Sequence, residues 1–140
     1  MILVSGKSAL YLRYFNNVPT FVTYHPAGLK FFNAKRTNEG LAYSLDLLAP
    51  KLGETIGGVV REENGDRVRK QLRDSKVGKY LTERGRDPEE VFGEYLRIFD
   101  QETPIPRGGY GIGFERFVAF LIGSNDILNT ITYRTLQPTS

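Results

Sequence analysis

The chain has 140 residues, 40% of them hydrophobic and 25% charged, with no cysteine, a single histidine (His25) and a formal net charge of +3. That length fits one domain with a real core and is too short for two, and the lack of cysteine excludes disulfides, thiolate catalysis and zinc-finger sites. The apolar opening Met1-Ile2-Leu3-Val4 ends at Ser5-Gly6-Lys7, too soon for a signal peptide or a membrane span, so a soluble, cytoplasmic protein without a membrane partner is expected.

In chain order, the β-branched and aromatic run Val18–Tyr24 predicts a strand, closed by Pro26-Ala27-Gly28. A second strand is expected from about Leu29 to Lys35, with a turn at Thr37-Asn38-Glu39-Gly40. Leu41–Leu48 and Glu54–Arg61 read as a hairpin joined by Ala49-Pro50-Lys51-Leu52-Gly53. A basic helix is expected after Asn64-Gly65, running to about Glu83 with a break near Gly78. Another starts with Asp87 as N-cap, Pro88 at the first helical position and Glu90 closing a capping box, and continues to Phe99. Pro104 and Pro106 end that region. A glycine-rich strand follows, and Phe114, Phe117, Val118, Leu121 and Ile122 then recur at helical spacing, which predicts a buried helix face. Strands, helices, strand and helix in that order describe an α+β domain, an antiparallel β-sheet flanked by helices.

Net charge is unevenly spread: nine basic side chains stand against five acidic ones between Arg61 and Arg86. Such a segment suits a nucleic-acid surface, or equally a solvated helix face whose charges pair at helical spacing.

The glycine strand carries the sharpest chemistry. Gly109, Gly111 and Gly113 alternate, so on a strand their missing side chains leave one face bare for a planar ring to lie against the backbone. Arg116 then falls in the first turn of a helix, where a guanidinium stacks on a ring or forks onto phosphate oxygens. The spacing is neither G-x-G-x-x-G nor a Walker loop. A packing strand beside a surface arginine is the plainer alternative.

The hairpin adds carboxylates. In its first strand Leu41, Tyr43, Leu45 and Leu47 share one face, the expected core face, and Ala42, Ser44 and Asp46 share the other. Asp46 therefore has small neighbours, and Glu54 across the turn is expected beside it. Together they offer hard oxygen ligands for magnesium, or are simply two solvated acids. Gly57-Gly58 inside the second strand predicts a β-bulge. One inserted residue there would turn Arg61 to the face of Glu54, whereas without it Arg61 is an ordinary strand cation.

Taken together, Leu45-Asp46-Leu47-Leu48-Ala49-Pro50, Gly53-Glu54-Thr55-Ile56-Gly57-Gly58, Arg61-Glu62-Glu63 and Gly109 through Arg116 resemble class II aminoacyl-tRNA synthetases. The match is with the asparaginyl branch of the aspartyl/asparaginyl subgroup, and Tyr24-His25-Pro26 with Leu29-Lys30 extends it. Several separated motifs in one order are far more specific than a glycine run alone. The resemblance implies a catalytic domain over 18–134, with 1–17 a poorly matched helical segment, that forms an aminoacyl-adenylate from ATP and asparagine or aspartate. It implies Asp46 and Glu54 as Mg2+ ligands, Glu54 and Arg116 as catalytic residues, and Gly109, Gly111, Gly113 and Arg116 as the ATP wall. Arg61 and Arg107 become substrate-binding residues, and tRNA becomes a partner through another domain or chain. Val59-Val60 stands where the family usually has Ser-Gln, and Arg107 where histidine is common.

The first two class II motifs are expected upstream of this sequence. The chain is accordingly read as the C-terminal part of the core, slow at adenylation alone, and completed by a homodimer or a partner chain that finishes the sheet. A non-catalytic paralogue binding nucleotide, amino acid or a partner, and a tRNA-independent paralogue, remain the alternatives.

Overall fold

The computed structural model describes residues 18–100 and 105–132. The helical segment expected over 1–17, Pro104, and the ending from Tyr133 onward lie outside those residues. Strands β1 (Thr20–Thr23), β2 (Ser44–Ala49), β3 (Gly53–Val60) and β4 (Gly108–Ile112) form one antiparallel sheet in the order β1-β2-β3-β4. The helices are α1 (Gly65–Asp74), α2 (Lys76–Glu83), the short α3 (Pro88–Val91) and α4 (Gly93–Leu96), and α5 (Phe114–Leu121). This is the α+β arrangement expected from the sequence. By contact density the described residues divide into two compact units, one built from 18–22, 46–57 and 110–132 and the other from 23–45, 58–100 and 105–109.

The second unit holds an aromatic-rich core. Asn64 caps α1, its side chain accepting from the Arg67 N–H at 2.9 Å, and Val68, Gln71 and Leu72 then fall on its buried face. Val68 and Leu72 pack with Phe32 and Leu96, and Val77, Phe92, Tyr95 and Phe99 close around them. Phe92 and Tyr95 meet the Phe32 ring edge-on at 5.0 and 6.0 Å, the geometry that aromatic quadrupoles favour.

The basic helix breaks near Gly78 as expected, and the break itself is at Ser75. The Ser75 hydroxyl donates to Leu72 O at 2.7 Å and accepts from the Gly78 N–H at 3.0 Å, so one residue ends α1 and caps α2. Gly78 has a different role. A Cβ there would lie 2.0 Å from Leu72 O, so the turn closes only over a glycine. Asp87 caps α3 as expected, accepting from the Glu89 N–H at 2.9 Å, but the helix predicted through Phe99 is divided into α3, α4 and a 3-10 turn over Arg97–Phe99.

Three further expectations are corrected. The strand predicted over 29–35 is a 3-10 turn at Ala27–Leu29 followed by isolated bridges, Ala34 with Arg61 and Arg36 with Ala42. Its carbonyls find another partner: Gln71 Nε2 donates to Phe32 O and Ala34 O at 2.8 and 3.3 Å. In the hairpin the faces are reversed, with Ala42, Ser44 and Asp46 buried and Tyr43 and Leu45 exposed. Small side chains allow close backbone approach, and Ser44 is satisfied against His25, whose Nδ1 lies 3.1 Å from Ser44 Oγ. Finally, Phe114, Phe117, Leu121 and Ile122 of the last helical segment are exposed, and Ala119 is its buried residue. Periodicity marks an apolar face without supplying the surface that covers it.

Candidate active site

In the first unit, β2 and β3 bring Asp46 and Glu54 together. Glu54 Oε1 and Asp46 Oδ1 lie 2.7 and 3.6 Å from the point where a Gly57 side chain would begin. A glycine at 57 leaves the space that the Glu54 carboxylate fills. Asp46 is buried and Glu54 exposed. Two hard oxygen donors meeting at one point suit a Mg2+ ion that draws its other ligands from water and phosphate. Among the described residues no group of three His, Cys, Asp or Glu side chains could hold a metal unaided.

The glycine strand forms as expected and leads directly into α5, whose N-cap is Gly113. The Gly113 N–H donates to Thr55 O at 2.8 Å and its carbonyl accepts from the Phe117 N–H at 2.8 Å, which joins strand end to helix start. Arg116 sits in the first turn. Its side chain runs over Gly113, where a Cβ would lie 3.7 Å from the Arg116 Cβ, and its Nη1 donates to the main-chain oxygen of Glu54 at 3.1 Å. A guanidinium has five N–H donors, so one bond orients Arg116 and the others remain for a ligand. A Cβ at Gly109 or Gly111 would meet nothing within 4 Å. Packing among the described residues does not demand glycine at either position.

Arg61, Arg107 and Gly109 belong to the second unit. The Arg61 N–H donates to Arg107 O at 2.8 Å, and the Arg107 guanidinium lies 4.9 Å from the centre of the Phe99 ring, a cation–π distance. The predicted bulge is absent from the β3/β4 ladder. The bonds Arg61 to Arg107 and Gly113 to Thr55 are six residues apart on either strand, leaving no inserted residue at Gly57-Gly58 to turn Arg61 over. Of the basic segment, Arg69 pairs with Asp100 at 2.6 Å and with Glu89 at 3.5 Å, and Arg73 also pairs with Glu89. Charge pairing accounts for part of that basic excess.

Sequence reasoning missed the main-chain anchor of Arg116, because a bond to a carbonyl 62 residues away leaves no trace in residue type. It also missed how the glycine at 57 admits the Glu54 carboxylate.

The sequence profile of the class II tRNA synthetases (D, K and N) matches residues 7–137. The chain belongs to that family. The asparagine–tRNA ligase of Synechocystis is 34% identical over 116 residues, 82% of this chain and 23% of the relative, and that of Streptococcus suis is 38% identical over 121 residues, 84% of this chain and 22% of the relative. Among solved structures, asparaginyl-tRNA synthetase from Pyrococcus horikoshii complexed with asparaginyl-adenylate aligns with a TM-score of 0.65 and 28% identity over 81% of this chain and 24% of that one. The Entamoeba histolytica enzyme aligns at 0.71 and 26% over 94% of this chain and 28% of that one. The chain thus spans about a quarter of the length of these class II relatives. Among the described residues no helix is long and apolar enough to cross a membrane.

Proposed function

We propose that this chain is the ATP-binding, C-terminal part of a class II catalytic core that activates asparagine as its adenylate. The observation carrying the reading is the bare glycine strand ending in an anchored arginine beside two converging carboxylates. Adenine lies along the strand at Gly111, where a Cβ would meet nothing within 4 Å, with the Arg116 side chain over Gly113 to hold the ring and the terminal phosphate, and the part of Gly109 rests on the family resemblance. An amino-acid carboxylate oxygen forms a bond to the α-phosphorus, the bond from that phosphorus to the bridging oxygen breaks, and pyrophosphate leaves. Asp46 and Glu54 would hold Mg2+, which supplies charge neutralisation on the leaving phosphates. Asp46, being buried, is the fixed donor, and Glu54 reaches over Gly57 to join it.

Amino-acid binding by Arg61 and Arg107 rests on the family resemblance. Arg107 lies against Phe99, and the Arg61 N–H donates to Arg107 O. tRNA and a second copy or a partner chain belong to the same proposal and rest on the family alone, whereas a cytoplasmic site of action does not follow from it, since mitochondrial enzymes are among the relatives.

Val59-Val60 favours a second reading, a paralogue that binds nucleotide without catalysis, because neither side chain can hydrogen-bond a phosphate. Asparagine-dependent exchange of labelled pyrophosphate into ATP tests both, with the chain alone and with an upstream class II fragment added. Exchange in either case supports activation. Its absence in both, with ATP still bound, sinks activation and leaves the binding paralogue, and exchange without added tRNA leaves a tRNA-independent activity to be tested by tRNA charging.

A further inference from the structure

The second unit contains a cleft of about 520 Å3 that shares no residue with the carboxylate pair or the glycine strand. It lies where the 3-10 turn and the segment after it face the junction of α1 and α2, and its walls include Lys30, Phe31, Arg36, Asp74, Lys76 and Val77. Its volume is in the range that holds a nucleotide-sized molecule.

Three features define what would fit. Phe31 is 52% exposed although its ring touches the core aromatics at 4.5 Å from Phe32 and 6.2 Å from Phe92. It therefore presents a fixed flat wall. Arg36 and Lys76 form no ion pair with any described residue, so two cations are available to an anion. Asp74, on the same wall system, accepts hydrogen bonds only. With Lys30 the wall carries three cations and one carboxylate, which favours an anionic ligand, and Asp74 adds an acceptor for hydroxyl donors.

We propose that this cleft binds a nucleoside monophosphate, with the base stacked on Phe31, the phosphate on Arg36 and Lys76, and the ribose hydroxyls donating to Asp74. An acidic peptide would supply several carboxylates against Asp74 and no ring for Phe31, so it fits less well.

The test is a titration of the full isotope-labelled chain with uridine monophosphate, followed by backbone amide NMR. Saturable shifts centred on Phe31, Arg36, Lys76 and Val77 are expected, with weaker binding of inorganic phosphate or uridine alone. Arg36→Glu and Lys76→Glu should each weaken binding by about tenfold or more, with the remaining amide spectrum unchanged as the check on folding. No saturable shift in the cleft overturns the proposal, as do shifts confined to the glycine strand. Equal affinity for phosphate alone removes the role of Phe31 and overturns it too, and so does tighter binding of a hexaglutamate peptide.

Discussion

Arg116 Nη1 donates to the main-chain oxygen of Glu54 at 3.1 Å, so the guanidinium is tethered to the very residue whose carboxylate closes over Gly57. The anchor uses backbone, which no change of the Glu54 side chain removes. Arg116→Ala should therefore weaken Mg-ATP binding by about tenfold to a hundredfold, the value of hydrogen bonds to a charged group. Arg116→Lys should recover only part of that, since an ammonium cannot fork. Calorimetry with a non-hydrolysable ATP analogue measures both. Unchanged affinity in the alanine variant would mean that the glycine strand is a packing element.

The metal reading predicts a separate effect for Glu54. Glu54→Gln keeps the side chain's length and the carbonyl that holds Arg116, while removing the charge that a hard divalent cation needs. Mn2+ affinity, read from its paramagnetic resonance signal in the presence of the ATP analogue, should fall by about tenfold or more. Metal-free binding of the analogue should change little. If the two affinities fall together, Glu54 serves the nucleotide directly and not a metal.

Local signals were legible because their causes are local. Asn64 and Asp87 cap helices through oxygens two or three residues from their donors, and alternating glycines ending in Arg116 mark a strand running into a helix. What stayed hidden depends on distant partners. The alternation in β2 was visible, but the buried side is the small and polar one, because His25 satisfies Ser44 and alternation says nothing about which face will be covered. Segment 29–35 has strand composition, yet the Gln71 side chain takes two of its carbonyls. The convergence of Asp46 and Glu54 was inferable from the hairpin, whereas the means, a carboxylate reaching over a glycine, needed coordinates.

Gly78 is buried and should be among the least tolerant positions. A methyl group there meets Leu72 O at 2.0 Å and Arg73 O at 3.0 Å, both main-chain atoms that move only if the α1–α2 junction opens. Gly78→Ala should cost about 3 kcal/mol or more, the upper range for steric insertion into packed structure, despite alanine's better helix propensity. Urea unfolding followed by circular dichroism reads this directly. A stabilised or neutral variant would show that the junction closes differently.

Tyr95 predicts the opposite sign. Its ring packs against Phe32 and Phe99, but its buried hydroxyl has no hydrogen-bond partner among the described residues. Removing an unsatisfied buried hydroxyl relieves desolvation without opening the ring contacts, so Tyr95→Phe should be neutral or stabilising by up to about 1–2 kcal/mol. A clear loss of stability in the same urea assay would mean that the hydroxyl finds a partner in solution.

Lys35 supplies a pH dependence. Its Nζ lies 2.6 Å from Glu63 Oε1, and that hydrogen bond is the main influence lifting the lysine above its ordinary value of 10.5. Partial burial pulls it down, and the charges of Glu63, Glu62 and Tyr43 add to the rise. Because the folded state holds this proton more tightly than the unfolded chain does, the pair's contribution is fully present below the unfolded value and is lost as pH rises through the folded one. Lys35→Met removes the proton site but keeps the apolar stem. The stability difference between the native chain and this variant should therefore be flat at neutral pH and shrink only above about pH 10.5. Since both partners are partly solvated, raising the salt concentration should also reduce it. Paired urea titrations from neutral to strongly alkaline pH measure the difference free of the other titrating groups, and a difference that begins to fall near neutrality would assign the dependence to a group other than Lys35.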